Sequence, residues 1–222
     1  MEKSKQVKSR SRVTDHGEVF TAEREVNAML DLVIHETERI ESRFLEPACG
    51  NGNFLSEILR RKMRVVEQRY GKNQLEFERY SVVAVGSIYG VELLSDNAKE
   101  CRERLFIIFN NLYTELFKNR CSDQCRLAIR YVLSKNILCG DALTLKNDEG
   151  EPIVFSEWTL VAGSNIKRRD YTFDELLEAN RDEQQLSLFQ AAMQYDAQAG
   201  GFIPNPIREY PLTHYGRLVD YD

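Results

Sequence analysis

The sequence is 222 residues long, 42% hydrophobic and 29% charged, with a formal net charge of −5. That length suits one well-buried domain, and the mild acidity gives no global pull toward nucleic acid. No apolar run approaches the ~18 residues of a membrane span and no secretion segment opens the chain, so no membrane role is expected and cytoplasm is the default location. The five cysteines, Cys49, Cys101, Cys121, Cys125 and Cys139, are odd in number and scattered, which gives no disulfide framework. Neither they nor the isolated His16, His35 and His214 have metal-ligand spacing, so no metal is expected.

Residues 1–16 are polar and basic, with Lys3, Lys5, Lys8, Arg10 and Arg12, and read as a flexible arm that either touches phosphates or is simply solvated. Residues 17–222 read as a single domain. Following Gly17-Glu18-Val19-Phe20-Thr21, the residues Val26, Met29, Leu30, Leu32 and Val33 recur at helical spacing, with Thr21 placed as N-cap. Phe44-Leu45-Glu46 is then an apolar lead-in ending on an acid. Gly50-Asn51-Gly52 turns tightly, and Phe54, Leu55, Ile58, Leu59, Met63, Val66 and Tyr70 line a helical face. The stretch reads as strand, loop and helix start.

Such a junction is a ligand site in outline. Glycine takes positive φ and lets a ligand approach the backbone, while the free N–H groups of the following helix start face an anion. Glu46, at the strand end, is an acceptor for a ligand ammonium. An acid and an anion-seeking helix start together suit an amino-acid moiety better than a pyrophosphate, which favours S-adenosylmethionine over a dinucleotide.

Beyond Gly71-Lys72-Asn73 a second helix is predicted from Leu75 toward Val85, and Ile88-Tyr89-Gly90-Val91-Glu92 reads as a short buried strand ending on an acid suited to the two hydroxyls of a ribose. Asp96 to about Lys118 is a long amphipathic helix, Gln124 to Leu133 another, and Asn136 to Leu143 a strand with its exit turn. Asp141 at that tip is an acceptor for an adenine amino group. Trp158 to Gly163 is predicted as a fourth strand, Phe173, Leu176 and Leu177 open a helix, and Asp182 to Met193 is a further helix ended by Gly200-Gly201. The tail from Phe202, with Pro204, Pro206 and Pro211, is expected to fold back on the sheet as a C-terminal extension over 172–222; Asn205-Pro206 in it reads as a turn.

Glu46-Pro47-Ala48-Cys49-Gly50-Asn51-Gly52-Asn53-Phe54-Leu55 resembles the first motif of the adenine-N6 DNA methyltransferases of restriction-modification systems, usually Asp-Pro-Ala-Cys-Gly-Ser-Gly-Asn-Phe-Leu. Gly17 to Thr21 is similar to the family's segment Gly-x-Val-Phe-Thr-Pro, with Ala22 in place of the Pro. Ile88 to Glu92 is similar to the second motif and Gly140-Asp141-Ala142-Leu143 to the third, so the resemblance covers roughly residues 13 to 145 in the gamma motif order. It implies a three-layer, Rossmann-like class I methyltransferase fold around a central, mostly parallel α/β sheet. It also implies an S-adenosylmethionine site formed by Phe20, Thr21, Glu46, Pro47, Ala48, Cys49, Gly50, Gly52, Asn53, Phe54, Glu92, Leu93, Asp141, Ala142 and Leu143.

Transfer to adenine N6 requires the amino group to be held while its nitrogen attacks the sulfonium methyl in line. The family does this with an (Asp/Asn)-Pro-Pro-(Tyr/Phe) loop that also stacks on the flipped base. No such tetrapeptide is present. At its expected place Gly163-Ser164-Asn165 and Tyr171 offer an amide and a ring, and Lys167-Arg168-Arg169 a basic cluster for DNA; a plain strand-to-loop turn is the competing reading. The expected activity is therefore DNA adenine-N6 methylation in a restriction-modification setting, with DNA and a specificity or companion subunit as partners. The rivals are a cofactor-binding but inactive subunit of a DNA-modification complex and a methyltransferase acting on something other than DNA.

Overall fold

The computed structural model describes residues 8–16, 18–181, 193–196 and 201–221. Gly17 and the helix expected over 182–192 lie outside them. Three short strands, β1 (Phe44–Glu46), β2 (Ile88–Glu92) and β3 (Ile137–Cys139), form a parallel sheet in the order β1-β2-β3. The chain is thus a mixed α/β protein.

Helices supply the crossovers that parallel pairing demands. Between β1 and β2 run α4 (Asn53–Tyr70) and α5 (Gln74–Gly86), and between β2 and β3 run α6 (Ser95–Phe117) and α7 (Asp123–Asn136). Upstream lie α1 (Arg10–His16), α2 (Glu23–Asp31) and the single turn α3 (Ile34–Thr37). Asn73 and Ser122 cap α5 and α7, each accepting a backbone N–H three residues on.

Every residue of β2 is buried, as expected for a central strand covered on both faces. Its alternation sorts two cores. Ile88 joins the large helical core with Leu55, Leu59, Phe77, Leu105, Phe109 and Val132. Tyr89 and Val91 turn to a second core with Ile153, Phe155 and Phe173, where the Tyr89 and Phe155 rings meet edge-on with centroids 5.4 Å apart.

That second core is roofed by an antiparallel sheet. Strands β4 (Val154–Leu160) and β5 (Asn165–Thr172) form a hairpin, followed by α8 (Phe173–Arg181) and a small hairpin of β6 (Met193–Asp196) with β7 (Gly201–Pro204). The tail adds β8 (Arg208–Glu209) and β9 (Thr213–His214) to β5 and ends in 3₁₀ turns over Tyr215–Tyr221.

Four expectations are corrected here. The strand predicted from Trp158 to Gly163 does not continue the parallel sheet: Gly163, at φ +73, reverses the chain within a few residues, and a reversal that short permits only antiparallel pairing. Part of the arm is helical, and Lys8 and Arg12 pin it to α6 through Asp96 and Glu100. Thr21 is not the N-cap of α2, a place taken by Ala22 without a side-chain bond. Met193 opens a strand rather than closing a helix, and Gly201 opens its partner.

Candidate functional site

The parallel strands all end on one side, and a cleft of about 780 Å³ opens there. This is where ligands sit in open α/β sheets, because loops leaving adjacent strands can diverge and leave a crevice. The loop after β1 forms its floor. Cys49 N–H donates to Val91 O at 2.9 Å and Gly140 N–H to Glu92 O at 3.0 Å, so the exits of the three strands are laced together.

The glycine turn is shaped by close packing. Gly50 has φ +53, and a Cβ there would stand 3.1 Å from the Phe20 ring; Gly52 has φ +85, and a Cβ there would stand 2.5 Å from Cys101 Sγ. Both positions therefore favour glycine for conformation, and Gly52 needs it for space as well. Gly52 is also the N-cap of α4, and the first two residues of that helix, Asn53 and Phe54, line the cleft. Arg104 braces the turn from α6, donating to Asn51 O at 2.7 Å and Asn53 Oδ1 at 3.0 Å. Asn53 in turn donates to Thr21 O at 2.9 Å, which draws the upstream segment over the loop.

Three acids border the cleft at the strand exits. Glu46 accepts from the Ala48 N–H, and burial pushes its pKa above the ordinary carboxylate value. Glu92 is buried; its Oε2 accepts from Gly50 N–H at 2.9 Å and its Oε1 from Leu94 N–H at 3.0 Å and the Asn97 amide at 3.2 Å. Asp141 makes a local turn, Oδ1 accepting from Leu143 N–H at 2.8 Å.

Of the residues expected to bind the cofactor, the structure brings Phe20, Thr21, Glu46, Pro47, Ala48, Cys49, Gly50, Asn53, Phe54, Glu92, Leu93, Asp141, Ala142 and Leu143 around this one cleft. Gly52 lies beneath it, turned against Cys101. Sequence reasoning missed Glu18, Asn97, Phe173 and Leu177, which also line it. The pair Phe173 and Leu177 had a signal in its four-residue spacing at a helix start; Glu18 and Asn97 had none, since surface acids and amides look the same in sequence.

The residues expected to serve the base and the DNA do not line the cleft. Asn165 begins β5 and pairs with His214. Tyr171 is buried in the same strand, its hydroxyl donating to Glu157 Oε2 at 3.3 Å and its pKa pushed up to about 12 by burial. Arg168 is buried in a bidentate pair with Asp170 and lies over the Tyr210 ring at 4.0 Å. Lys167 and Arg169 both pair with Glu209, each at 3.1 Å. Among the described residues no group of three His, Cys, Asp or Glu side chains is arranged to hold a metal, and no helix is long and apolar enough to cross a membrane.

An α/β protein whose parallel strands end on an acid-bordered cleft, with a glycine turn leading into a helix, has its cleft where proteins of this class bind small ligands. Residues 20–157 match the family model described as MmeI, DNA-methyltransferase domain, which is more than half of the chain. The chain belongs to this family of restriction-modification DNA methyltransferases. Comparison with curated proteins and with solved structures gave no match.

Proposed function

We propose that the cleft binds S-adenosylmethionine within a Rossmann-like class I methyltransferase fold, and that the chain takes part in methylating adenine N6 in DNA in the cytoplasm. The observation that carries this reading is the meeting of Glu46, Glu92 and Asp141, one acid from each strand exit, on a cleft floored by the Gly50 turn. In this reading residues 17–222 form one domain, with 172–222 as its extension.

The residues fit such a ligand. Glu46, deprived of water, gains most from an ammonium, since an opposite charge restores its ionised form. The free N–H groups opening α4 suit the neighbouring carboxylate. Glu92 keeps about one lone pair for a ribose hydroxyl after its three protein donors, because a carboxylate accepts about four. Asp141 stands where it would accept from the adenine amino group, and Phe173 and Leu177 supply an apolar wall. Bound there, S-adenosylmethionine supplies an electrophilic sulfonium methyl.

One observation favours a second reading. Asn165 and Tyr171, the only substitutes in sequence for the base-holding loop, lie in the antiparallel sheet and not at the cleft. A cofactor-binding subunit that depends on a companion for base positioning accounts for that placement.

The test combines calorimetry with S-adenosylhomocysteine and transfer of a tritiated methyl group to unmodified DNA, with Asn165→Ala as control. Binding together with transfer supports the active enzyme, and binding without transfer supports the dependent subunit. No binding refutes both.

A further inference from the structure

We propose that Asn97 is a positioning residue of the cleft: it fixes the Glu92 carboxylate for the ribose, and Lys8 of the upstream arm fixes Asn97 in turn. This rests on the cofactor reading given above and extends it to the residues that aim one of its acids. Asn97, in the first turn of α6, is buried and borders the cleft. Its side-chain nitrogen donates to Glu92 Oε1 at 3.2 Å and to Glu18 Oε1 at 2.6 Å, while its Oδ1 accepts from Lys8 Nζ at 2.6 Å.

Only one orientation of the amide satisfies those neighbours. An ammonium has protons to give and no lone pair, so it must meet the amide oxygen; carboxylates offer lone pairs, so both must meet the NH2 group. Reversing the amide would set its oxygen against two acids and its nitrogen against a cation. Lys8 therefore selects the orientation in which Asn97 can hold Glu92. The shared NH2 also separates two like charges: without it, Glu18 would face Glu92 with no proton between them, at the carboxylate whose aim decides the ribose contact.

The same side of α6 carries the arrangement to the glycine turn. Asn97, Glu100 and Arg104 are spaced three and four residues apart and so share one helix face. Glu100 accepts from Lys8 Nζ at 2.6 Å and from the Asn51 amide at 3.0 Å, and Arg104 donates to Asn51 O at 2.7 Å. One ammonium thus bonds both the residue that aims Glu92 and the residue that holds Asn51 in the turn after β1. Docking of the arm on α6 is in this way part of building the cofactor site.

The experiment is a calorimetric titration of the full chain with S-adenosylhomocysteine and with its 2′-deoxy and 3′-deoxy analogues. Native protein, Asn97→Ala and Lys8→Met are compared, with thermal melting to establish that each variant is folded. Lys8 lies at the surface, so Lys8→Met decides the matter even where Asn97→Ala fails to fold. The native protein should bind the analogue lacking the hydroxyl held by Glu92 about tenfold more weakly than the parent. Asn97→Ala should lose about tenfold for the parent and almost all of that discrimination. Lys8→Met should lose about threefold and retain a discrimination of about threefold. A general loosening of the fold would weaken parent and analogue alike and leave the tenfold ratio standing. That result, or native affinity in either folded variant, would overturn the proposal while leaving the cofactor reading intact. If the native protein binds the parent and both analogues equally, Glu92 holds no hydroxyl and the inference falls with that assignment. Failure of the native protein to bind S-adenosylhomocysteine at all would remove the cofactor reading itself, and this inference with it.

Discussion

The backbone N–H of Gly50 donates to Glu92 Oε2 at 2.9 Å, so the turn after β1 and the acid ending β2 form one unit although 42 residues separate them. Three donors converge on that carboxylate, and all three come from backbone or amide groups that shape the cleft. Glu92→Gln faces one of them with an N–H group in place of an oxygen. The variant should unfold about 1–3 kcal/mol more easily and bind S-adenosylhomocysteine at least tenfold more weakly. Urea unfolding and calorimetry on the same preparation measure both, and a variant impaired in only one would separate the scaffold role from the ligand role.

Gly52→Ala meets two separate obstacles. A side chain at φ +85 costs about 1–2 kcal/mol in backbone conformation. Its Cβ would also stand 2.5 Å from Cys101 Sγ, where no atom fits. Cys101→Ala removes the sulfur and leaves Cys101 Cβ at an ordinary 3.4 Å. In a double-mutant cycle the steric part should therefore be recovered on the Cys101→Ala background and the conformational part should persist.

Glu46 gives a pH signature. Burial raises its folded pKa, so the folded protein holds the proton more tightly than the unfolded chain does. The stability this confers is complete below the ordinary value of 4.5 and is lost as pH rises through the raised value. Glu46→Gln never ionises. Its stability relative to the native protein should therefore increase as pH climbs above 4.5 and level off once the raised value is passed, while its affinity for S-adenosylhomocysteine is lower than the native protein's. Thermal melting across that range, with calorimetry at neutral pH, tests the trade between stability and binding.

Lys62 works in the opposite sense. It is fully buried in α4 and donates to the carbonyls of Arg39, Ile40 and Ser42 at 2.9, 2.9 and 2.5 Å, holding the segment that leads into β1. Burial lowers its pKa to about 7, against the pull of Glu41 and Glu36 and with Arg39 adding to the depression. Between about 7 and the ordinary 10.5 the unfolded chain carries a proton that the folded one does not. The stability of the native protein relative to Lys62→Met should thus rise over that interval, by at most roughly 1.4 kcal/mol per pH unit. Urea titrations at neutral and alkaline pH measure it, and a constant difference would contradict the assigned direction.

What the sequence disclosed follows from how local each cause is. The helical faces of α4 to α7 and the three parallel strands, two of them ending on an acid, were legible because their period and turn residues lie within one stretch of chain. The glycine turn was legible because ten adjacent residues, Glu46 to Leu55, carry its motif. The fate of Trp158 to Gly163 was not: its apolar residues fit a parallel or an antiparallel strand equally, and the choice lay with the turn at Gly163 that brings Ile166 to Arg168 back alongside it. The basic run Lys167-Arg168-Arg169 looked solvent-facing until Asp170 and Glu209 were seen to neutralise it. The placing of Glu18 beside Asn97 rests on a contact across 79 residues, which no periodicity encodes.

Glu78, buried in α5, accepts hydroxyl protons from Tyr113 in α6 and from Tyr215 near the end of the chain, and Tyr215 and Leu218 are members of the main core. The helical centre is therefore closed by residues made well after it, Tyr215 lying 137 positions beyond Glu78. Until Tyr215 has emerged from the ribosome, the nascent domain lacks one of the two hydroxyls that bond Glu78 and part of its apolar lining. Its stability is thus withheld until translation of this stretch is finished, and a chain stopped short of Tyr215 is a marked substrate for proteolysis.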